Sequence, residues 1–277
     1  MSDLPPQRTL PRVAARLDAR IDSVDSLLCV GLDIRLDRLS PRLRREANPQ
    51  FAAARQIIEA TADLVVAYKP NLSFFEARGE AGWHDLQLTM DLLREQHPDI
   101  VTIADAKRAD IGSTNEAIAT AVFDVLGADA ITLHPYLGGG ALRPFLDRED
   151  RACIVLARTS DPGSGEIQDL LVDGRPLWER VAERVRDGWD RGGTCMLVVG
   201  ATRPDDLRRA RELCPAMTFL VPGVGAQGGT VEEVVAAGRD ARGRGLLINA
   251  SRSVIEADDP RAAARRLRDQ IRAAQQA

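Results

Sequence analysis

Apolar and polar positions alternate along this chain in a regular order that predicts parallel β-strands separated by helices. Short apolar runs bounded by turn residues are followed by amphipathic stretches with helical spacing. The predicted strands are Leu27–Asp33, Leu64–Asn71, Ile100–Lys107, Ala130–Pro135, Cys153–Thr159, Cys195–Ala201, Thr218–Gly225 and Gly245–Ser251. This alternation favours βαβ units, because parallel neighbours need a long crossover connection.

The stretches between and after these strands predict a matching set of helices. They are Phe51–Ala62, Trp83–Gln96, Thr114–Leu126, Gly140–Leu146, Leu177–Gly188, Pro204–Leu213, Val231–Ala237 and Pro260–Ala274. Eight strand–helix pairs indicate an α/β fold of the (β/α)₈ TIM-barrel type. We expect residues 1–277 to form one such domain, with a short helical extension before the first strand. A doubly wound open sheet is the alternative architecture.

In a (β/α)₈ barrel the active site lies at the carboxyl ends of the strands. Most of the predicted strands end in polar residues: Asp33 on the first, Lys69 on the second, Asp105 and Lys107 on the third, Thr159 and Ser160 on the fifth, and Ser251 and Arg252 on the eighth. The sequence therefore predicts a polar cluster at one end of the barrel. The segment from Asp161 to Pro176 is the longest Gly- and Pro-containing loop and is expected to act as a lid.

Lysine occurs only at positions 69 and 107, among 37 basic residues. An ammonium can deliver a proton, whereas a guanidinium effectively never gives one up. Two lysines that escaped a drift toward arginine are the simpler explanation, but Lys107 lies between Asp105 and Asp110. Because side chains alternate along a strand, Asp105 and Lys107 are expected to point the same way, with Asp110 in the following turn. This coupled charge array indicates catalysis.

A second pattern predicts a phosphate site. The seventh strand leads into the Gly-rich segment 222–229, whose backbone amides can approach an anion and whose Gln227 can donate from its side chain. Arg252, after the eighth strand, adds a planar donor suited to phosphate oxygens. Phosphate sites in these barrels are frequently built by the loops after strands seven and eight. A phosphorylated small molecule is the expected ligand.

Composition and charge reduce the number of functional classes and cellular locations to consider. The chain is 44% hydrophobic and 28% charged, with a net charge of -4, so a nucleic-acid partner is not expected. The amino terminus lacks the apolar core of a signal peptide, and no apolar stretch has the length of a membrane span. We therefore expect a cytoplasmic protein without a membrane partner. The cysteines show no metal-binding spacing and are interpreted as buried apolar residues.

The combined motifs resemble those of the orotidine 5'-monophosphate decarboxylases, in particular the longer bacterial branch of that family. The matching segments, in chain order, are Cys29-Val-Gly-Leu-Asp33, Tyr68-Lys69-Pro70-Asn71, Asp105-Ala-Lys107-Arg-Ala-Asp110-Ile111-Gly112-Ser113-Thr114, Pro222-Gly-Val-Gly-Ala-Gln227 and Ser251-Arg252-Ser253. They cover the chain from about the first predicted strand to the last. The Asp-x-Lys-x-x-Asp core also occurs in relatives that act on other sugar phosphates, but the combination is specific.

The resemblance implies conversion of orotidine 5'-monophosphate (OMP) to uridine 5'-monophosphate (UMP) and CO₂ in pyrimidine biosynthesis, with neither metal nor organic cofactor. It implies a homodimer in which Asp110, Ile111 and Thr114 reach the neighbouring subunit's site. The remaining roles that it implies are a charge array of Lys69, Asp105, Lys107 and Asp110, ribose binding by Asp33 with Lys69, a pyrimidine contact by Ser160, and phosphate binding by Gln227 and Arg252.

Three other functions stay open on the residues alone. A metal-dependent sugar-phosphate decarboxylase or aldolase of the same superfamily resembles the Asp-x-Lys-x-x-Asp core, but such relatives carry an acidic ligand where this chain has Lys69, which would repel Mg²⁺. A Schiff-base aldolase would need Lys107 deprotonated, and flanking carboxylates oppose that. A non-catalytic phosphosugar-binding barrel would have no need for the Asp/Lys array.

Overall fold

The computed structural model describes residues 12–224 and 228–277, in which eight parallel strands close into a barrel. The strands are β1 (Leu28–Leu32), β2 (Ala67–Pro70), β3 (Val101–Arg108), β4 (Ala130–Leu133), β5 (Ala152–Arg158), β6 (Leu171–Val172), β7 (Arg175–Pro176), β8 (Cys195–Val199), β9 (Phe219–Pro222) and β10 (Leu246–Ala250). Barrel order follows chain order from β1 to β5 and from β8 to β10, which pairs with β1. The short strands β6 and β7 form a separate antiparallel hairpin. The predicted (β/α)₈ barrel is confirmed.

The helices are α1 (Val13–Val24), α2 (Pro49–Thr61), α3 (Leu72–Glu76), α4 (Glu80–Gln96), α5 (Gly112–Ala119), α6 (Gly138–Ala141), α7 (Arg143–Leu146), α8 (Gly165–Gln168), α9 (Leu177–Arg184), α10 (Pro204–Leu213), α11 (Val231–Gly238), α12 (Arg252–Ile255) and α13 (Pro260–Gln276). Helices α5 and α9 each continue into a π-helical turn. The single helix predicted over residues 140–146 is divided into α6 and α7, because Pro144 has no amide hydrogen to continue the ladder. Across the described part of the chain, no helix combines the length and apolarity that crossing a bilayer requires.

The alternation of side chains along the strands separates two apolar clusters. An inner cluster takes at least one residue from every barrel strand, including Ala67, Ile103 and Ala130, and an outer cluster fills the space between strands and helices. Helix α1 contributes Val13 and Leu17 to the inner cluster, so it covers the amino-terminal end of the barrel. The polar side chains of the site lie at the opposite end.

Candidate active site

Two lysines and one aspartate form a compact charged group at the carboxyl end of the barrel. Lys69 on β2 and Asp105 on β3 each follow an inner-cluster residue by two positions, so both side chains point into the barrel mouth. Lys69 Nζ donates to Asp105 Oδ2 at 2.6 Å, and Lys107 Nζ donates to Asp105 Oδ1 at 2.5 Å. One carboxylate therefore bridges two ammonium groups.

The members of this group differ in burial, and the burial sets their electrostatics. The side chains of Lys69 and Asp105 are 5% and 7% exposed, whereas that of Lys107 is 49% exposed. Burial by itself would raise the pKa of Asp105, but the charges of Lys69 and Lys107 and their hydrogen bonds hold that pKa well below its ordinary value. Burial likewise opposes the charged form of Lys69, yet Asp105 and Asp33 raise the pKa of its amine. The accessible ammonium of the group is that of Lys107.

The position of Lys107 depends on an irregularity in β3. Ala104 pairs with Ile131 of β4, but Arg108 pairs with Leu133, so three residues of β3 stand opposite Thr132 alone. Lys107 takes the left-handed backbone conformation, with φ +47°. Regular alternation, the basis of the sequence prediction, therefore does not describe this segment, and the bulge turns the side chain of Lys107 back toward Asp105.

Thr132 holds that bulge in place. Its Oγ1 accepts hydrogen bonds from the amides of Ala106 and Lys107 at 3.0 and 2.9 Å and donates to Asp105 Oδ1 at 3.0 Å. Sequence reasoning missed this residue because it lies within an apolar run. The available signal was a hydroxyl two positions beyond an inner-cluster residue, on the strand next to that of Asp105. Thr132 therefore fixes both the carboxylate and the backbone that carries Lys107.

Asp33 lies directly after β1 and borders the charged group. Its Oδ1 is buried, lies 4.0 Å from Lys69 Nζ, and accepts no hydrogen bond from any residue that the structure describes. A buried carboxylate oxygen without a donor is costly unless a ligand supplies one. The geometry thus leaves an acceptor beside Lys69 for a hydroxyl of a bound molecule.

Asp110, Ile111 and Thr114 lie on the outer side of the mouth, in the loop after β3 and on α5. Asp110 accepts a hydrogen bond from the Ile111 amide at 2.6 Å, and within the described part of one chain it forms no ion pair with Lys107. Ile111 is 62% exposed, and Thr114 is also exposed. The structure does not bring these residues into the site of their own chain.

The predicted phosphate end is partly described. Arg252 is the first residue of α12, two positions after the end of β10, and is exposed at the mouth. The preceding Ser251 packs against Gly31 of β1, where a Cβ would lie 1.8 Å from Ser251 Oγ, so only glycine allows this approach. Gln227 lies outside the described residues. The carboxyl ends of β9 and β10 nevertheless lie at the same end of the barrel as Lys107.

The segment predicted as a lid follows β5. Ser160, directly before this segment, is half-buried, and the segment contains α8 and the β6–β7 hairpin. Sequence reasoning also missed the importance of Arg158, the last residue of β5, which is the largest fully buried side chain of the described residues. Its position in the sequence gave a signal, since a charge at the end of an apolar strand needs partners when it is buried.

Comparisons with known proteins identify the family of this chain. Residues 26–267 match the model of the "Orotidine 5'-phosphate decarboxylase / HUMPS family". The chain is 51% identical over 260 residues to an orotidine 5'-phosphate decarboxylase of Roseiflexus castenholzii, covering 90% of this chain and 93% of that protein. It is 49% identical over 265 residues to the corresponding enzyme of Thermomicrobium roseum, covering 92% and 93%.

A solved structure leads to the same result. The OMP decarboxylase of Leishmania donovani superposes with a TM-score of 0.87 at 40% identity, covering 96% of this chain and all of that one. The family match spans nearly the whole barrel, and the relatives match over most of their own length. The chain belongs to the orotidine 5'-phosphate decarboxylase / HUMPS family.

Proposed function

We propose that this protein decarboxylates OMP to UMP and CO₂, the last step of UMP biosynthesis, without a metal or organic cofactor. The observation that carries the proposal is the buried carboxylate of Asp105 shared by two ammonium groups, with the Lys107 ammonium accessible at the barrel mouth. Membership of the family and about half-identical relatives named orotidine 5'-phosphate decarboxylase support it.

The chemistry requires such an ammonium. Breaking the bond between C6 and the carboxylate releases CO₂ and leaves an electron pair on C6, in an in-plane orbital that the π system of the ring cannot delocalise. A fixed positive charge next to C6 stabilises that pair more in the transition state than in the substrate. Lys107 supplies this charge and then transfers a proton to C6, so UMP leaves with a new C–H bond and solvent reprotonates the amine. Asp105, fixed by Lys69 and Thr132, aims the ammonium.

The rest of the nucleotide is bound by residues around this group. Asp33 accepts from a ribose hydroxyl through its buried Oδ1, which lies 4.0 Å from Lys69 Nζ and accepts no hydrogen bond from the described residues. Arg252 and Gln227 bind the phosphate, and Ser160 contacts the pyrimidine. Binding energy gained at the phosphate, remote from C6, contributes to lowering the barrier by fixing the ring against Lys107.

We also propose that the active enzyme is a homodimer with shared sites. Asp110 is not paired with Lys107 of its own chain, which fits a role in a neighbouring site. Exposed apolar side chains follow the ends of β3 and β4, with Ile111 62%, Tyr136 89% and Leu137 40% exposed. Such a set beside the site suits an isologous interface. Asp110, Ile111 and Thr114 would then complete the partner's substrate pocket.

The position of Lys69 argues against the metal-dependent members of the superfamily. A divalent cation at the mouth would need the Asp105 carboxylate, and that carboxylate already bonds Lys69 at 2.6 Å. The buried ammonium of Lys69 would also repel a divalent cation bound at this position.

We further propose a cytoplasmic location, since the four cysteines are buried free thiols, as expected in a reducing compartment.

The test is a spectrophotometric assay of the purified protein with OMP in the presence of EDTA. The account predicts loss of the orotate absorbance and appearance of the UMP spectrum, at a rate that added Mg²⁺ does not increase. A strict requirement for Mg²⁺, or turnover of a keto-sugar phosphate in place of OMP, would contradict it. Reduction with borohydride during turnover should trap no covalent adduct on Lys107.

A further inference from the structure

A buried arginine that the proposed reaction does not use joins three elements near the mouth. Arg158 ends β5, and its side chain is only 2% exposed. Its Nε donates to Asp206 Oδ2 at 2.7 Å, and its Nη2 donates to Asp169 Oδ2 at 3.2 Å. Asp206 is in the first turn of α10, and Asp169 directly follows α8. One guanidinium therefore connects the barrel, the loop after β5 and the helix after β8.

A bulge in β5 places this arginine outside the barrel. Leu156 pairs with Val198 of β8, but Arg158 pairs with Val199, so β5 carries one extra residue. Val198 belongs to the inner cluster and Val199 to the outer one. Because paired residues point to the same side, the bulge directs Arg158 outward, where regular alternation after Leu156 would have sent it into the mouth. The outward direction brings it to Asp169 and Asp206.

Asp169 and the neighbouring Gln168 also close the loop that follows β5. The Thr159 amide donates to Gln168 Oε1 at 2.9 Å, and Gln168 Nε2 donates to Thr159 Oγ1 at 2.9 Å. Together with the ion pair between Arg158 and Asp169, these bonds fix residues 168–169 onto residues 158–159. The loop therefore begins and ends at one point, and Ser160 is the next residue inside it.

Ser160 is confined from a second direction by β8. The amide of Gly200, directly after β8, donates to the carbonyl of Arg158 at 2.9 Å. A Cβ at position 200 would lie 2.7 Å from the Ser160 nitrogen and 2.9 Å from its Cα, so the Ser160 backbone occupies space that only glycine leaves free. Any shift of Arg158 would be passed directly to Ser160.

We propose that Arg158, held between Asp169 and Asp206, is a positioning residue that fixes Ser160 against the pyrimidine of the substrate. The inference rests on the proposed function, which assigns that contact to Ser160. Burying a guanidinium is costly unless its ion pairs are complete, so loss of one partner loosens the group. The ion pair is the cause and the placement of Ser160 is the effect.

The test is a double-mutant cycle between Asp169→Ala and Ser160→Ala, read as kcat and KM for OMP. Asp169 is suitable because its side chain is 44% exposed, so its replacement is compatible with folding. We expect each single variant to lower kcat/KM by about 10-fold and the double variant to lose little more than either alone, since both remove the same contact. Asp173→Ala is the matched control, because that side chain lies in the β6–β7 hairpin and is 82% exposed.

A second measurement does not depend on turnover. Hydrogen exchange of the amides in residues 159–169 should be faster in Asp169→Ala than in the wild type and unchanged in Asp173→Ala. If the wild type converts OMP and the effects of Asp169→Ala and Ser160→Ala simply multiply, the positioning role is overturned while the proposed function stands. Unchanged exchange in Asp169→Ala would overturn the role as well. A wild type that does not convert OMP would refute the proposed function itself.

Discussion

The ends of β3 and β5 solve the same structural problem with opposite charges. Each strand leaves its register through a bulge near its carboxyl end, and each carries a buried charge there. At β3 one carboxylate, Asp105, lies between two ammonium groups; at β5 one guanidinium, Arg158, lies between two carboxylates. The difference is the direction in which the charge faces.

The direction in which the charge faces distinguishes a group that can react with substrate from one that stabilises the structure. The β3 group leaves Lys107 49% exposed at the mouth, whereas the β5 group seals Arg158 at 2% and exposes its counter-ions outward. An accessible charge can contact a ligand, whereas a sealed charge acts through the groups that it holds in place. Burial of a charged residue at a strand end therefore does not by itself identify a catalytic group.

The largest effect on activity is expected when the accessible charge at the end of β3 is removed. Lys107→Ala should lower kcat by at least about 10⁴-fold, since both the fixed charge and the proton donor are lost. Lys107→Arg should fail similarly, because a guanidinium keeps the charge but does not release a proton. Steady-state assays with OMP measure both. Activity in Lys107→Arg near that of the wild type would show that charge alone is sufficient.

A smaller effect on activity is expected after β10, where the charge of Arg252 is also exposed. Arg252→Ala should lower kcat/KM by about 10- to 100-fold, the equivalent of losing a charge-assisted hydrogen bond to phosphate. Arg44→Ala, which removes an exposed arginine from the loop after β1, is the matched control and should be nearly neutral. Equal effects of the two variants would argue against a specific phosphate contact of Arg252.

Asp110 and Lys107 do not pair within one chain, so the site at the end of β3 can be tested for a contribution from a second subunit. Mixed dimers of Asp110→Ala and Lys107→Ala chains should recover about a quarter of wild-type activity, because half of the dimers are hybrids with one intact site. Mixing Lys107→Ala with Asp105→Ala chains is the control, since both residues belong to the same site and no intact site forms. Recovery in the control, or none in the test pair, would contradict shared sites.

The smallest effect concerns stability and pH. The pKa of Asp105 is lowered in the folded protein, so its charged form contributes stability that is complete above its unfolded pKa of about 3.9 and is lost as the pH falls through the folded value. The wild type should therefore lose stability relative to Asp105→Asn on acidification from about pH 5 to about pH 2.

The slope is at most about 1.4 kcal/mol for each pH unit, for one proton. Urea unfolding of both proteins at each pH measures the difference in free energy of unfolding. A difference that stays constant over this range would show that the lysines do not lower the pKa of Asp105.

Local sequence was sufficient for the barrel strands and for most helices. All eight predicted barrel strands are present because each is an apolar run of strand length, and α10 spans Pro204–Leu213 as predicted because proline starts it. The closeness of Lys69 and Asp105 also followed from their places at strand ends. These features depend only on periodicity and on the (β/α)₈ architecture.

The bulges could not be predicted from sequence. Each depends on register with a neighbouring strand, as when Thr132 stands opposite three residues of β3. Regular alternation of side chains correctly predicted that Lys107 lies beside Asp105. It did so by assuming an extended strand, whereas Lys107 has a positive φ. Arg158 was counted as an ordinary strand residue, because its partners, Asp169 after α8 and Asp206 on α10, come from segments far apart in the chain.

The most direct test of the central claim is a single-turnover experiment with Lys107→Ala in excess over OMP. The account predicts that this variant binds OMP but leaves it unconverted over a period in which the wild type turns all of it into UMP. Retained binding shows that the chemical step is what was lost. Formation of UMP by the bound variant at the wild-type rate would contradict a role for the Lys107 ammonium in the reaction.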